Sequence, residues 1–364
     1  MNDAGAMRAA LTLARRGLGQ VWPNPSVGCV IVKNGVVVAR GVTQPGGRPH
    51  AETEALARAG RGARGSVVYV TLEPCAHRGQ TGPCAEALSD AGVARVVVAV
   101  EDPDPRVRGQ GIAALTAAGI KVELGLGAEE AVELNAGFFL RVTEERPLVT
   151  LKLATSLDGR IAVAGGESKW ITGERARLRA HLLRATHDAV MVGSGTVLAD
   201  NPELTCRVPG LAHRQPVRIV ADGALRVPLT ARIVAEARKS PTWFIVRHGI
   251  NDRRPGYTAA GVELIDVKPT ATGETDLGAA LTALARKGIT RVLVEGGATL
   301  AAALIRADLV DRIAWFHAPS LIGGDGIGAL GPLAIAAPGH APRFERMGLE
   351  IVGEDVLETL RRAA

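Results

Sequence analysis

Two alternating series of apolar and polar segments run along the chain, separated by the polar stretch Arg141–Arg146. In the first series Met7–Arg16 has helical spacing. Val27–Val32 and Val36–Ala39 are apolar strand runs on either side of Lys33-Asn34-Gly35, a hairpin-turn signal. Ala51–Ala59 is a strong helix former, Val67–Leu72 a short apolar strand, and Cys84–Ala91 a helix that stops at Gly92. Val96–Val100 reads as a buried strand, Gly111–Ala118 as a helix ending at Gly119, and Lys121–Leu124 as another strand. The second series opens after Pro147 with strand Leu148–Ala154, helix Glu174–Ala185 and strand Ala189–Val192. Strands at Val217–Val220, Thr242–Val246 and Arg291–Val294 follow, with Ala271–Asp276 as a small polar loop. No internal repeat is visible. The alternation predicts layered α/β architecture. The polar stretch predicts two domains, 1–145 and 146–364.

Length supports that division, since 364 residues are many for one domain. Apolar residues make up 47% and charged residues 22%, as in ordinary globular proteins. No run of about 18 uncharged apolar residues occurs, so no membrane-spanning helix is expected. Met1–Arg16 lacks a basic start followed by a long apolar block, so no secretory leader is expected. The cysteines Cys29, Cys75, Cys84 and Cys206 form no disulfide framework, which suits a reducing cytoplasm. A net charge of +6 admits nucleic acid, but the arginines are scattered. Aromatics at 3% are too few for a base-stacking platform. Small anionic ligands such as phosphorylated sugars and dinucleotides explain the charge as well, and nucleic acid is not expected as a partner.

Candidate chemistry concentrates in His50-Ala51-Glu52, Pro74-Cys75 and Pro83-Cys84. One imidazole and two thiolates make a three-ligand zinc site with one open position. Glu52, two residues from His50, can stand beside that position without ligating. This is the pattern of zinc deaminases, in which zinc generates the nucleophile from water and the glutamate shuttles protons. Eight residues separate Cys75 from Cys84, more than in the common signature. His50 and Glu52 open one predicted helix and Cys84 another, where partial positive charge favours a thiolate. A closed structural site would need a fourth ligand, for which His77 is the nearby candidate. Asn24, in Pro23-Asn24-Pro25-Ser26, reads as a turn cap or as an amide that meets substrate. Asp102 and Asp104 follow a strand, where acidic residues often only cap helices.

In the second series, Glu295-Gly296-Gly297 joins a buried strand to an alanine-rich helix. Such a turn aims backbone N–H groups and a helix dipole at an anion. It is not the Rossmann spacing. Gly193-Ser194-Gly195-Thr196 is a second turn of this kind, and each is a weak signal alone. Taken singly, Glu295 reads as a helix cap, Trp170 as a core residue and Asp158-Gly159-Arg160 as a hairpin tip.

Together these segments resemble the family of bifunctional riboflavin biosynthesis proteins, which combine a pyrimidine deaminase with a reductase. In the first half the resemblance rests on Asn24-Pro25-Ser26-Val27-Gly28, His50-Ala51-Glu52, Thr71-Leu72-Glu73-Pro74-Cys75-Ala76-His77 and Gly79-Gln80-Thr81-Gly82-Pro83-Cys84. In the second it rests on Leu151–Arg160, Ser168–Thr172, Val197–Thr205 and Val294–Gly297. It covers residues 5–330, and the tail after Pro332 adds little. The resemblance implies an N-terminal cytidine-deaminase-like α/β/α domain and a C-terminal dihydrofolate-reductase-like α/β domain. It implies zinc on His50, Cys75 and Cys84, with Glu52 as acid and base. It implies NADPH contacts at Ala154, Trp170, Thr196, Asp200 and the turn Gly297, Ala298, Thr299, Leu300, Ala301, Ala302 and Ala303. Ser168, Arg184, Leu204, Arg207 and Glu295 fall where the family contacts its phosphorylated pyrimidine substrate, and Asn24 is read the same way in the deaminase. Arg184 and Arg207 make sense as phosphate clamps, because guanidinium suits bidentate oxyanion binding. Lys152, flanked by apolar strand residues, is the candidate proton donor. A homo-oligomer paired through the reductase domain is expected from the same source. Gly82 stands where the family usually has proline, and Asp104 where asparagine is common.

Two other readings compete. A nucleic-acid deaminase with an unrelated second domain is disfavoured by the cysteine spacing and the few aromatics. A structural zinc module fused to a dinucleotide sensor is disfavoured by Glu52.

Overall fold

The computed structural model describes residues 1–77 and 82–363; Gly79-Gln80-Thr81 of the quoted motif lies outside the described residues. The chain forms two compact units, Met1–Glu145 and Arg146–Ala364.

The first unit is a five-stranded sheet between two helical layers. Its strands are β1 (Gly28–Lys33), β2 (Val36–Val42), β3 (Val67–Val70), β4 (Arg95–Val98) and β5 (Lys121–Leu124), in spatial order β2-β1-β3-β4-β5. Its helices are α1 (Asp3–Arg15), α2 (Ala51–Ala59), α3 (Cys84–Asp90), α4 (Gln110–Ala117), α5 (Ala128–Leu134) and α6 (Ala136–Thr143). β1 is antiparallel to both neighbours, and β3, β4 and β5 run parallel. The β1–β2 turn places Asn34 and Gly35 at φ 52° and 77°, the left-handed pair that the Asn-Gly signal predicts. Alternate strand residues feed two cores. Cys29, Ile31, Val68, Val70, Val96 and Val98 pack with Ala51 and Ala55 of α2 and Leu88 of α3. Val30, Val32, Tyr69 and Val97 pack with Met7 and Leu11 of α1 and Ala131 of α5. A β-carbon on Gly41 would lie 2.0 Å from the Ala51 carbonyl, so only glycine lets β2 approach the start of α2 this closely. α5 and α6 were not anticipated; α6 takes up the first residues of the polar Arg141–Arg146 stretch.

The second unit is built on a nine-stranded sheet. Its strands are β6 (Leu148–Thr155), β7 (Arg160–Ala162), β8 (Ala189–Gly193), β9 (Val217–Ala221), β10 (Thr242–Arg247), β11 (Glu263–Val267), β12 (Arg291–Glu295), β13 (Arg312–His317), β14 (Ile327–Gly328), β15 (Phe344–Val352) and β16 (Asp355–Arg362). The spatial order is β11-β10-β9-β8-β12-β6-β13-β16-β15, with β7 and β14 pairing separately. The helices are α7 (Glu174–Ala185), α8 (Ser194–Asp200), α9 (Arg232–Ala235), α10 (Arg254–Ala260), α11 (Leu277–Arg286) and α12 (Ala298–Arg306). β11 through β13 along that order pair in parallel and are covered on both faces, which explains the continuous apolar runs in β8, β10 and β12.

The tail corrects the expectation that it adds little. β16 pairs antiparallel with β13 from Arg312↔Arg361 to His317↔Val356, and β15 closes the edge. Leu357 is buried, and the Asp355 carboxylate accepts the Gly173 N–H at 2.8 Å. Most β15 side chains are exposed, so the tail lacks the alternation that marks a half-buried strand. Among the described residues no helix is long and apolar enough to cross a membrane.

Candidate active sites

Three elements of the first unit converge on one point. His50 is the residue before α2, Cys75 lies beyond the exit of β3, and Cys84 is the first residue of α3. His50 Nδ1 stands 3.4 Å from Cys84 Sγ and 3.6 Å from Cys75 Sγ. The three donor atoms lie within 4.8 Å of one another, and both cysteines are free thiols. The Cys84 backbone N–H donates to Cys75 Sγ at 3.4 Å. One imidazole and two thiols gathered without a disulfide are the donor chemistry zinc takes. Among the described residues the cluster holds these three, and exposed His77 is not part of it.

Glu52 sits in the first turn of α2 and is buried. Burial pushes its carboxyl up to about 7, against the pull of His50. The Cys75 thiol is drawn down to about 4, chiefly by the bond with Cys84, and the same bond pushes Cys84 up. A buried acid near neutrality beside a metal-ligand cluster is equipped to take and return a proton.

Asn24 does not stand free. Its Nδ2 donates to the Gly47 carbonyl at 2.8 Å, which ties the loop before β1 to the loop before α2. Asn135 fastens the same loop, accepting from Ser26 N–H at 2.8 Å and donating to the Ser26 carbonyl at 3.0 Å. The sequence carried no sign of Asn135, because its partner lies 109 residues away. Glu73, also passed over, is a buried carboxylate beside the cysteine ligand; its only local signal is a charge between a strand and Pro74-Cys75. Asp104 accepts from Arg106, and Asp102 accepts the Asp104 N–H at 2.9 Å. A side chain at Gly82 would meet open space, so the departure from proline is sterically free.

In the second unit Lys152 and Glu295 face each other in register on β6 and β12. Arg184 of α7 reaches Glu295 through Nε at 2.5 Å and Nη2 at 2.9 Å, and donates to the Thr205 carbonyl at 2.8 Å. Burial alone would raise the Glu295 carboxyl, but the charge and bonds of Arg184, then Lys152, hold it at about 2. Burial pulls the Lys152 ammonium down, opposed by Glu295. The Arg184 fork is thus paired with a carboxylate, and Glu295, which taken singly reads as a helix cap, is its partner. Arg207 keeps its exposure, pairing with Glu203 at 3.3 Å and His181 at 3.2 Å.

The two glycine turns lie side by side. Thr196 Oγ1 is 3.2 Å from where a β-carbon on Gly297 would sit, and Gly296 and Gly297 have φ of 89° and 84°. In the turn at α12 Thr299 is exposed, and Gly297 and Ala298 are half-buried. Leu300, Ala301 and Ala302 turn inward and are buried, so any cofactor contact from them is through the backbone, with Ala303 half-buried. Leu204 is 3% exposed and packs in the core, at φ 56°. Trp170 is 68% exposed, not core, and the Arg177 guanidinium stacks 4.5 Å above its ring. Ser168 and Ala154 are half-buried and Asp200 is exposed at the end of α8. Among the described residues no side-chain hydrogen bond joins Ser168, Trp170 or Asp200 to the two turns, though Asp200 ends the helix that the first turn opens. Two adjacent glycine turns at helix starts, with an exposed indole in the same unit, fit a dinucleotide.

Both units match known protein families. The cytidine and deoxycytidylate deaminase zinc-binding region matches residues 1–100, and the RibD C-terminal domain matches residues 147–357. The riboflavin biosynthesis protein RibD of Escherichia coli K12 is 44% identical, over 98% of each chain. The Bacillus amyloliquefaciens RibD is 42% identical over 96% of this chain and 94% of its own. The chain belongs to the RibD family. Acinetobacter baumannii RibD superposes with a TM-score of 0.89 at 38% identity, covering 100% of this chain and 99% of its own. A Thermotoga maritima structure described as a diaminohydroxyphosphoribosylaminopyrimidine deaminase and 5-amino-6-(5-phosphoribosylamino)uracil reductase superposes at 0.86 with 34% identity, over 99% and 98%. As a RibD family member the chain is a bifunctional enzyme of riboflavin biosynthesis, a zinc-dependent deaminase and an NADPH-dependent reductase acting on a small molecule. The RibD match runs through residue 357, so it includes the tail.

Proposed function

We propose that the chain catalyses two consecutive steps: deamination of 2,5-diamino-6-(5-phosphoribosylamino)pyrimidin-4-one in residues 1–145, then reduction of 5-amino-6-(5-phosphoribosylamino)uracil to its ribitylamino form in residues 146–364. The observation that carries it is Glu52 buried beside the His50, Cys75 and Cys84 cluster, in one chain with a RibD reductase match. His50, Cys75 and Cys84 hold the zinc. Bound zinc supplies Lewis acidity that makes water nucleophilic near neutral pH. Glu52 takes a proton from the attacking water and returns it to the departing amino group, so water enters and ammonia leaves. Asn24 braces the loop that receives the pyrimidine.

In the second unit Ala154, Thr196, Asp200, Trp170 and Gly297–Ala303 receive the dinucleotide, and NADPH supplies the hydride. Lys152 gives a proton to the ribose ring oxygen as the ribosyl chain opens to ribityl; its lowered affinity for that proton supports the role. Ser168, Glu295 and the Leu204 backbone line the substrate side. Arg207 faces the phosphate, and Arg184 acts by fixing Glu295. Exposed Leu349 and Ile351 on edge strand β15 support pairing of two copies through this unit. Four free cysteines support a cytoplasmic setting.

The test is to incubate zinc-loaded protein with the diaminopyrimidine, with and without NADPH, following ammonia and NADPH absorbance. Ammonia without NADPH, then NADPH consumption once it is added, is the expected order. Intact zinc with no ammonia overturns the substrate assignment.

A further inference from the structure

The Glu73 carboxylate is buried and is met by four backbone donors from one stretch of chain. Oε2 accepts from Asp102 N–H at 3.1 Å and Gly109 N–H at 2.9 Å. Oε1 accepts from Gly111 N–H at 2.8 Å and Ile112 N–H at 3.2 Å. The two oxygens thus gather both ends of the 102–109 loop and the first turn of α4. The Glu73 N–H is itself bonded to the Val100 carbonyl at 2.9 Å, so the exits of β3 and β4 are joined where the loop starts. At Gly111 a β-carbon would fall 1.8 Å from the Pro74 carbonyl, so α4 rests directly on the residue before Cys75. The gathered loop presents Asp102 and Asp104, and Asp104 is tied to Asp102 through its own N–H at 2.9 Å. These groups lie beyond the carboxyl ends of adjacent parallel strands, where open α/β sheets bind ligands.

We propose that Glu73 is a positioning residue of the deaminase. It fixes the distance between the Cys75 ligand segment and the Asp102–Gly109 wall, and so sets how the phosphorylated pyrimidine is held. A carboxylate suits this task because it is acceptor-only: both oxygens face N–H donors, and each bond is charge-assisted. A glutamine in its place must turn an NH₂ toward N–H groups, which frees half of the loop. The proposal rests on the deaminase reading above.

The experiment compares full-length zinc-loaded wild type, Glu73→Gln and Glu73→Asp. It measures zinc per chain, reductase turnover, and deaminase kcat and KM by ammonia release. In Glu73→Gln the expected result is wild-type zinc and reductase turnover, with KM raised about tenfold and kcat changed less than about threefold, as when ground-state binding is lost. Glu73→Asp, which keeps the charge on a shorter arm, should fall between. Faster hydrogen exchange at the amides of Asp102, Gly109, Gly111 and Ile112 should accompany the KM change. Unchanged KM in both variants overturns the proposal, as does loss of zinc together with kcat, which would make Glu73 a support of the metal ligands alone. A wild type that releases no ammonia would instead sink the deaminase reading, independently of Glu73.

Discussion

Arg184 closes on Glu295 through two bonds of 2.5 and 2.9 Å, joining α7 to the end of β12, and both side chains are nearly buried. A guanidinium and a carboxylate so placed satisfy each other geometrically, yet neither is free to be removed alone. Glu295→Gln strands a buried cation, and breaking such a pair costs about 3–5 kcal/mol. Chemical denaturation of the variant should show a loss of that order. A cost below about 1 kcal/mol, the range of exposed pairs, would show that solvent reaches Arg184 freely.

Acid should weaken the second unit through His187. Its Nδ1 lies 2.7 Å from the Leu183 carbonyl and its Nε2 lies 2.9 Å from Thr150 Oγ1, deep inside the fold. Burial, then the charge of Arg291, holds it down to about 3, against about 6.5 in an unfolded chain. The unfolded state therefore binds the extra proton first. The stabilisation is complete above about pH 6.5 and drains away as pH falls toward 3, with a slope of at most about 1.4 kcal/mol per unit. Denaturation midpoints between neutral and mildly acidic pH should fall in wild type and fall less steeply in His187→Gln. Equal slopes in the two proteins would count against this assignment.

Glu52→Ala should keep zinc and the reductase while deamination drops by at least about 100-fold, the usual worth of a positioned acid–base group. Metal analysis and the two assays on one preparation decide it. Loss of zinc in the variant would make the glutamate structural.

A fragment beginning at Arg146 should fold and oxidise NADPH with the deaminated substrate. Arg146 itself grips Asp311 at 2.8 and 2.9 Å, and Asp311 accepts the Val149 N–H at 2.8 Å, so the unit's first residue belongs to its own fold. A folded but inactive fragment would show that the reductase needs the first unit.

Local chemistry was legible along the chain wherever neighbours in sequence are neighbours in space. Asn34-Gly35 specified its hairpin and Ala51–Ala59 and Glu174–Ala185 their helices, whereas His50, Cys75 and Cys84, up to 34 residues apart, were legible only because their residue types form a motif. What tertiary structure decided was which polar groups spend their charge on one another. Arg184 and Glu295 are 111 residues apart, and Glu73 finds its donors up to 39 residues on. Leu204 and Leu300–Ala302 turned inward, and Trp170 outward. The tail became two strands because β13 offered an open edge. Propensity and spacing act over a few residues, whereas burial and pairing depend on which distant segment arrives opposite, and that is set only when the sheet closes.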